Sequence, residues 1–208
     1  MRKKNFFISL VFIFFAVNAI FAETKKNNAE QFLVPSSTLS SDEAIKQLNL
    51  AELEGECGGF FKEFYRSNFK AEASDTGKQL AACSMIYHLI RSDYVVPWHK
   101  ISSDEIFIFL SGTPQIICYI NGNGELIENI LGNDYKKGEV SMVRIPANCW
   151  MSEVLTERSE KSWSLLGLVV VPGFDISNYA HGKSDEIIKT YPNLEKRIKE
   201  LGLGSSHN

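Results

Sequence analysis

From residue 60 onward the chain is a succession of short apolar runs cut by turn signals, and this cadence constrains the fold most strongly. Phe60 to Phe64 is rich in aromatic residues. Met85–Ile90, Tyr94–Ile101, Ile106–Leu110, Gln115–Ile120, Leu126–Leu131, Met142–Ile145, Met151–Leu155 and Trp163–Val171 all read as strands. Between them stand Ser111-Gly112, Asn121-Gly122-Asn123-Gly124, Gly132-Asn133-Asp134 and Pro146-Ala147-Asn148. Asn-Gly is the strongest short hairpin signal, because its two residues accept the positive φ that a tight hairpin turn needs. Many short strands without helices between them predict an all-β barrel or sandwich. Helical pattern is confined to the ends. Ser40 and Glu43 form a capping box ahead of Ala44, Ile45 and Leu48, predicting a helix over about 41–49. Ser184 to Leu201 also turns helical and is split by Pro192.

The first 22 residues have a different texture. Arg2, Lys3 and Lys4 precede an apolar run from Phe6 to Phe21, which ends in small residues at Ala19 and Ala22. This is the layout of a secretory signal peptide, and the run falls short of the roughly 20 apolar residues that span a bilayer comfortably. The expected organisation is a signal peptide over 1–22, a flexible linker over 23–40 and one folded domain over 41–208. The mature protein is then secreted or periplasmic. Loss of Arg2, Lys3 and Lys4 leaves 19 of the 22 Lys and Arg against 25 Asp and Glu, a net charge of about −6. Phosphate backbones and anionic membrane surfaces both require basic surface, so neither nucleic acid nor, after cleavage, a membrane is an expected partner. Cys57, Cys83, Cys118 and Cys149 match no zinc spacing and leave disulfide pairing open.

Four stretches in order carry a family resemblance. The first is Glu56-Cys57-Gly58-Gly59-Phe60-Phe61-Lys62-Glu63-Phe64-Tyr65-Arg66-Ser67. The second is Trp98-His99-Lys100 with Ser103-Asp104-Glu105-Ile106-Phe107. Ile145-Pro146-Ala147-Asn148-Cys149-Trp150 and Val171-Pro172-Gly173-Phe174-Asp175 complete the set. Over about residues 43–201 the chain resembles the branch of the cupin superfamily known as cupin five, a domain of unknown function. The resemblance implies a double-stranded β-helix, a jelly-roll barrel with a pocket at its mouth, and often a homodimer. It brings no reaction with it. The departures from cupin pattern bear on chemistry. In the first cupin motif His99, Glu105 and Gly112 are in place, but Ile101 stands at the second His. In the second motif Pro146 is in place, Asn148 stands for a Gly, and Met151 stands where the metal-binding His would be. The family's His-Pro-Glu-Gly-Gly stretch is Gly55-Glu56-Cys57-Gly58-Gly59 here, without its His and its Glu.

Strand alternation puts residues two apart on one face. If His99, Glu105 and Met151 face the lumen, so do Ile101, Phe107, Phe109 and Glu153. The expected ligand pocket is therefore His99, Glu105 and Glu153, walled by Phe107, Phe109 and Met151, with Tyr65 and Arg66 near the mouth. A carboxylate in such an apolar wall has its pKa raised, which suits acid–base work. The short polar segment Ser102-Ser103-Asp104 predicts that His99 and Glu105 return beside one another and hold each other in their charged forms. Arg66 either holds a ligand anion or pairs structurally with Glu63 or a loop carbonyl. A divalent transition metal would have to draw on His99, Glu105 and, if it faces inward, His88.

Three readings stand. The first, which the substitutions at Ile101 and Met151 favour, is an exported cupin that binds a small polar molecule without a catalytic metal or other cofactor. It is either a pure binder or a metal-free isomerase or lyase. The second is a metal-dependent dioxygenase or isomerase using His99 and Glu105. The third is a non-catalytic structural or interaction protein.

Overall fold

The structure is a computed structural model that describes residues 38–53, 58–73 and 76–203. The expected signal peptide over 1–22 and most of the expected linker, like Cys57, lie outside these residues. The first described helix starts where the capping box predicts. Ser40 Oγ accepts from the Glu43 backbone N–H at 3.3 Å, while Glu43 Oε2 accepts from the Ser40 N–H at 2.8 Å. Two of the N-terminal donors that a helix leaves unpaired are thereby satisfied. Helix α1 (Ser41–Leu48) stops at Asn49, whose φ of 54° lies in the left-handed region that Asn tolerates. Just ahead of it, Trp163 Nε1 donates to the Leu39 carbonyl at 3.0 Å. The last residues of the expected linker are thus tied to the domain.

Thirteen strands follow among the described residues: β1 (Ala51–Glu52), β2 (Phe60–Arg66), β3 (Lys70–Glu72), β4 (Gln79–Ala81), β5 (Ser84–Arg91), β6 (Val96–Ile101), β7 (Asp104–Gly112), β8 (Gln115–Ile120), β9 (Leu126–Leu131), β10 (Met142–Ile145), β11 (Trp150–Leu155), β12 (Trp163–Val171) and β13 (Tyr179–His181). They pair antiparallel into a six-stranded sheet ordered β1-β2-β5-β12-β7-β10 and a five-stranded sheet ordered β13-β6-β11-β8-β9. The hairpin β3-β4 stands apart. The short helices α2 (Ser184–Thr190) and α3 (Glu195–Glu200) close the domain, with a 3-10 turn over Pro192–Leu194 between them. No described helix is long and apolar enough to cross a membrane.

Each sheet has two apolar faces. On the outer face of the six-stranded sheet, Ala44 and Leu48 of α1 pack against Tyr87, Leu89, Trp163 and Leu165. On the outer face of the other sheet, Ile187 and Ile198 of α2 and α3 cover Trp98, Cys118, Ile120 and Val154. Between the sheets, Phe107, Val143, Ile145 and Leu166 meet Ile117, Leu131 and Met151. At roughly 25 cal/mol per Å² of apolar area, this three-layer burial is the main stabilising term. The inner apolar cluster fills only part of the space between the sheets, and the rest is the cavity.

Candidate functional site

Register decides which side chains meet. Directly opposed residues of antiparallel strands share a face. In the six-stranded sheet Phe61 opposes His88, which opposes Leu166. Ile86 opposes Leu168, which opposes Phe107, and Ser84 opposes Val170, which opposes Glu105. In the five-stranded sheet Met151 opposes His99, and Tyr179 opposes Ile101. Glu153 lies two residues beyond Met151, past an irregularity in the β11–β6 register. These inward faces enclose a cavity of about 130 Å³. His88, His99, Glu105 and Glu153 border it, together with Phe61, Ile86, Ile101, Leu168, Val170, Phe174 and Tyr179, with Arg66 and Glu63 at one side.

The four polar residues are almost wholly buried: His88 is 2% exposed, His99 3%, Glu105 4% and Glu153 1%. His99 Nδ1 donates to its own strand's Pro97 carbonyl at 2.9 Å, and its ring stacks on Tyr179 with centroids 5.6 Å apart. The Nδ1 proton is thereby committed to the backbone. His88 Nε2 donates to the Gly58 carbonyl at 3.0 Å, leaving a buried Nδ1 with no partner among the described residues. Burial holds the His88 imidazole below its ordinary pKa. Burial likewise pushes the Glu105 carboxyl up to about 7, against the pull of His99. Burial and the nearby Glu105 push Glu153 up to about 8. Glu153 Oε2 has no hydrogen-bond partner among the described residues.

Several expectations change. His99 and Glu105 are not neighbours across a hairpin. Ser102 and Ser103 carry the chain from one sheet to the other, so β6 pairs with β11 and β13 while β7 pairs with β12 and β10. The two side chains approach the cavity from opposite sheets, and no ion pair within 4.0 Å joins them. Desolvation therefore prevails at Glu105 and favours its neutral form, not the charged form expected of a pair. Phe107 and Met151 share inward faces with Glu105 and Glu153 but lie in the apolar cluster beside the cavity, with Phe109 packed against it. The walls are instead Phe61, Ile86, Ile101, Leu168, Val170, Phe174 and Tyr179. Tyr65 is 49% exposed and does not border the cavity, because a register shift between Glu63 and Tyr65 turns it out and Arg66 in. Arg66 does both structural jobs foreseen for it: Nε and Nη2 reach Glu63 Oε2 at 2.9 and 2.6 Å, and Nη1 reaches the Phe174 carbonyl at 2.9 Å. Alternation from His88 would have placed Ile86 and Ser84 on the lumen. Tyr179 gave no such signal, since β13 is only three residues long.

Cupin family members often bind metals. No group of three or more His, Cys, Asp or Glu among the described residues is placed to share an ion. Ile101 and Met151 occupy two positions of the usual ligand set and bring no imidazole. Cys83, Cys118 and Cys149 are free, and Cys118 is a buried thiol donating to the Ser152 carbonyl at 3.3 Å.

The profile of the family described as "Cupin superfamily (DUF985)" matches residues 42–181. The chain belongs to this family. Among its relatives is the uncharacterized protein YML079W of Saccharomyces cerevisiae, 29% identical over 150 residues that make up 67% of this cupin and 74% of the yeast protein. Protein SO0799 from Shewanella oneidensis superposes with a TM-score of 0.67 at 29% identity, covering 79% of this chain and 98% of that one. A hypothetical protein from Leishmania major gives 0.71 at 22% identity, covering 78% and 98%, and shows the shared fold.

Proposed function

We propose that this cupin is an exported binding protein that holds a small molecule between its two sheets without a catalytic metal. One observation carries the reading. Two carboxyls and two imidazoles are buried around an open cavity whose other walls are mostly apolar, and a carboxyl oxygen and a ring nitrogen there lack partners among the described residues. A barrel built only for stability fills such a space with apolar side chains, as the neighbouring cluster around Phe107 does. Buried polar atoms without partners are rare in folded proteins and point to an occupant. A mostly apolar cavity with a few convergent polar groups is also the usual form of a small-molecule site.

The test is to purify the protein from its own host, denature it and identify released molecules by mass spectrometry. A stoichiometric small molecule is expected, and its loss from a Glu105→Leu/Glu153→Leu variant that still folds. Wild-type protein yielding no molecule, with the variant merely more stable, would leave the cavity a packing feature. Elemental analysis of the same sample, prepared without chelators, is expected to give well under one equivalent of iron, manganese, nickel or zinc. A full equivalent lost on His99→Ala would replace this reading with the metal-dependent one.

A further inference from the structure

Resting on the reading of the cavity as a ligand site, we propose that its occupant is a small primary alkylammonium ion whose charged head sits between Glu105 and Glu153. Charge balance around the cavity supplies the first argument. Glu63, Glu105 and Glu153 border it, and among the described residues Arg66 is the one Lys or Arg that does. The Arg66 guanidinium is already committed to Glu63 and to the Phe174 carbonyl. No described Lys, Arg or His nitrogen lies within 4.0 Å of Glu105 or Glu153. The cavity therefore carries two carboxyls with no cationic side chain in contact among the described residues, His99 acting on both only at longer range. Buried charge is retained in proteins when something pairs it.

Hydrogen bonding supplies the second. Glu153 Oε2 is buried and lacks a donor, and a primary ammonium has three N–H donors to offer. His88 Nδ1, a buried acceptor that also has no described partner, borders the same cavity. The walls supply the third. Phe61, Phe174 and Tyr179 present aromatic surface, which favours a cation over its neutral counterpart. Ile86, Ile101, Leu168 and Val170 suit an alkyl chain and offer no oxygen ligands to a hydrated inorganic ion. A carboxylate or phosphate ligand would face two acidic side chains and an arginine already in use.

The pairing also dictates a pH response. Facing the ammonium head are Glu105 on β7, Glu153 on β11, His88 on β5 and His99 on β6, with Glu63 and Arg66 on β2 and Tyr179 on β13 at the rim. Without ligand, burial keeps Glu105 and Glu153 substantially protonated near neutrality. Binding a cation must then release protons, so affinity rises with pH up to the point where the amine itself loses its charge.

Calorimetric titration of the leader-free protein with n-butylammonium, 1-butanol and butyrate compares three molecules of similar shape and different charge. At pH 8 butylammonium is expected to bind at least tenfold more tightly than 1-butanol, and butyrate more weakly than both. Its affinity should fall several-fold between pH 8 and 6. Glu105→Gln and Glu153→Gln, each folded by circular dichroism, should each lose at least tenfold for butylammonium and little for 1-butanol. Equal binding of the alcohol and the amine, or tighter binding of butyrate, would overturn the ammonium assignment while leaving the cavity a ligand site. Binding of none of the three overturns the assignment as well. Loss of that kind together with an empty cavity in the extraction experiment would take down both readings.

Discussion

Asn148 occupies the place where cupins carry a glycine, and its φ of 65° shows why a glycine belongs there. A left-handed conformation excludes branched side chains, and Asn enters it at modest cost through local hydrogen bonding. The turn it makes is also tied across the barrel mouth, since the Asn148 N–H donates to the Ile101 carbonyl at 2.7 Å. Asn148→Gly is expected to leave the thermal midpoint within a degree or two. Asn148→Val should lower it by several degrees, in line with about 1–3 kcal/mol for a strained residue of that kind. Differential scanning calorimetry of the two variants checks the pair. The substitution was visible in the sequence, but its consequence was not, because φ is set by where β10 and β11 must go. Glu105 was legible for a different reason. It fell in a recognisable frame with His99, yet the sheet that each strand joins is a tertiary choice, and a two-residue connection reads the same whether it closes a hairpin or crosses between sheets.

Elements with a complete local signature were read nearly to the residue. Gln115–Ile120, Leu126–Leu131, Met142–Ile145 and Trp163–Val171 form over the predicted spans. The capping box forms with both of its hydrogen bonds. Strands β1, β3, β4 and β13 run two or three residues and show no alternation long enough to read. β1 and β13 exist because β2 and β6 offer them an edge, while β3 and β4 pair only with each other. Two predictions belong to this scale. Ser40→Ala removes a side-chain cap and should cost about 1 kcal/mol, read as a shift of the urea midpoint with an unchanged slope. Gly112 ends β7 with φ of 96°, and a Cβ there would run into the Trp163 carbonyl oxygen on β12. That carbonyl also accepts from the Thr113 N–H at 2.7 Å. Gly112→Ala combines a clash with an unfavourable φ, so it should destabilise by at least about 2 kcal/mol, more than loss of the cap. Equal midpoints for Gly112→Ala and wild type would show that the β7–β12 approach is not as tight as described.

At the scale of the whole molecule, we propose a homodimer, expected from the family and compatible with the exposed apolar side chains Phe69, Met142 and Ile176. Light scattering at micromolar concentration should give twice the chain mass. The last expectation concerns how stability follows pH, and it comes from the lumen. Glu105 and Glu153 have folded-state pKa values of about 7 and about 8, above the 4.5 of an unburied glutamate. Between about pH 4.5 and 8 these two groups therefore hold more protons in the folded protein than in the unfolded chain. Linkage then makes their contribution to unfolding free energy fall as pH rises through that window and level off above it. For Glu105 alone the fall is on the order of 3 kcal/mol. Acidic proteins whose carboxylates are paired behave in the opposite way and lose stability as pH falls. Asp175, held well below its usual range by its hydrogen bonds with Lys78 and Ser177, acts in that direction, but its window lies below pH 4. His88, whose imidazole burial holds below its ordinary pKa, also acts in that direction, up to about pH 6.5. Chemical denaturation of ligand-free protein at pH 6.5, 7, 7.5 and 8 should therefore show the decline. Glu105→Gln and Glu153→Gln should each flatten part of it and raise stability at pH 8, where wild type carries buried negative charge. A wild-type profile that rises between pH 6.5 and 8 would mean that both carboxyls ionise without penalty, and the cavity would then have to be wetter than its apolar walls imply.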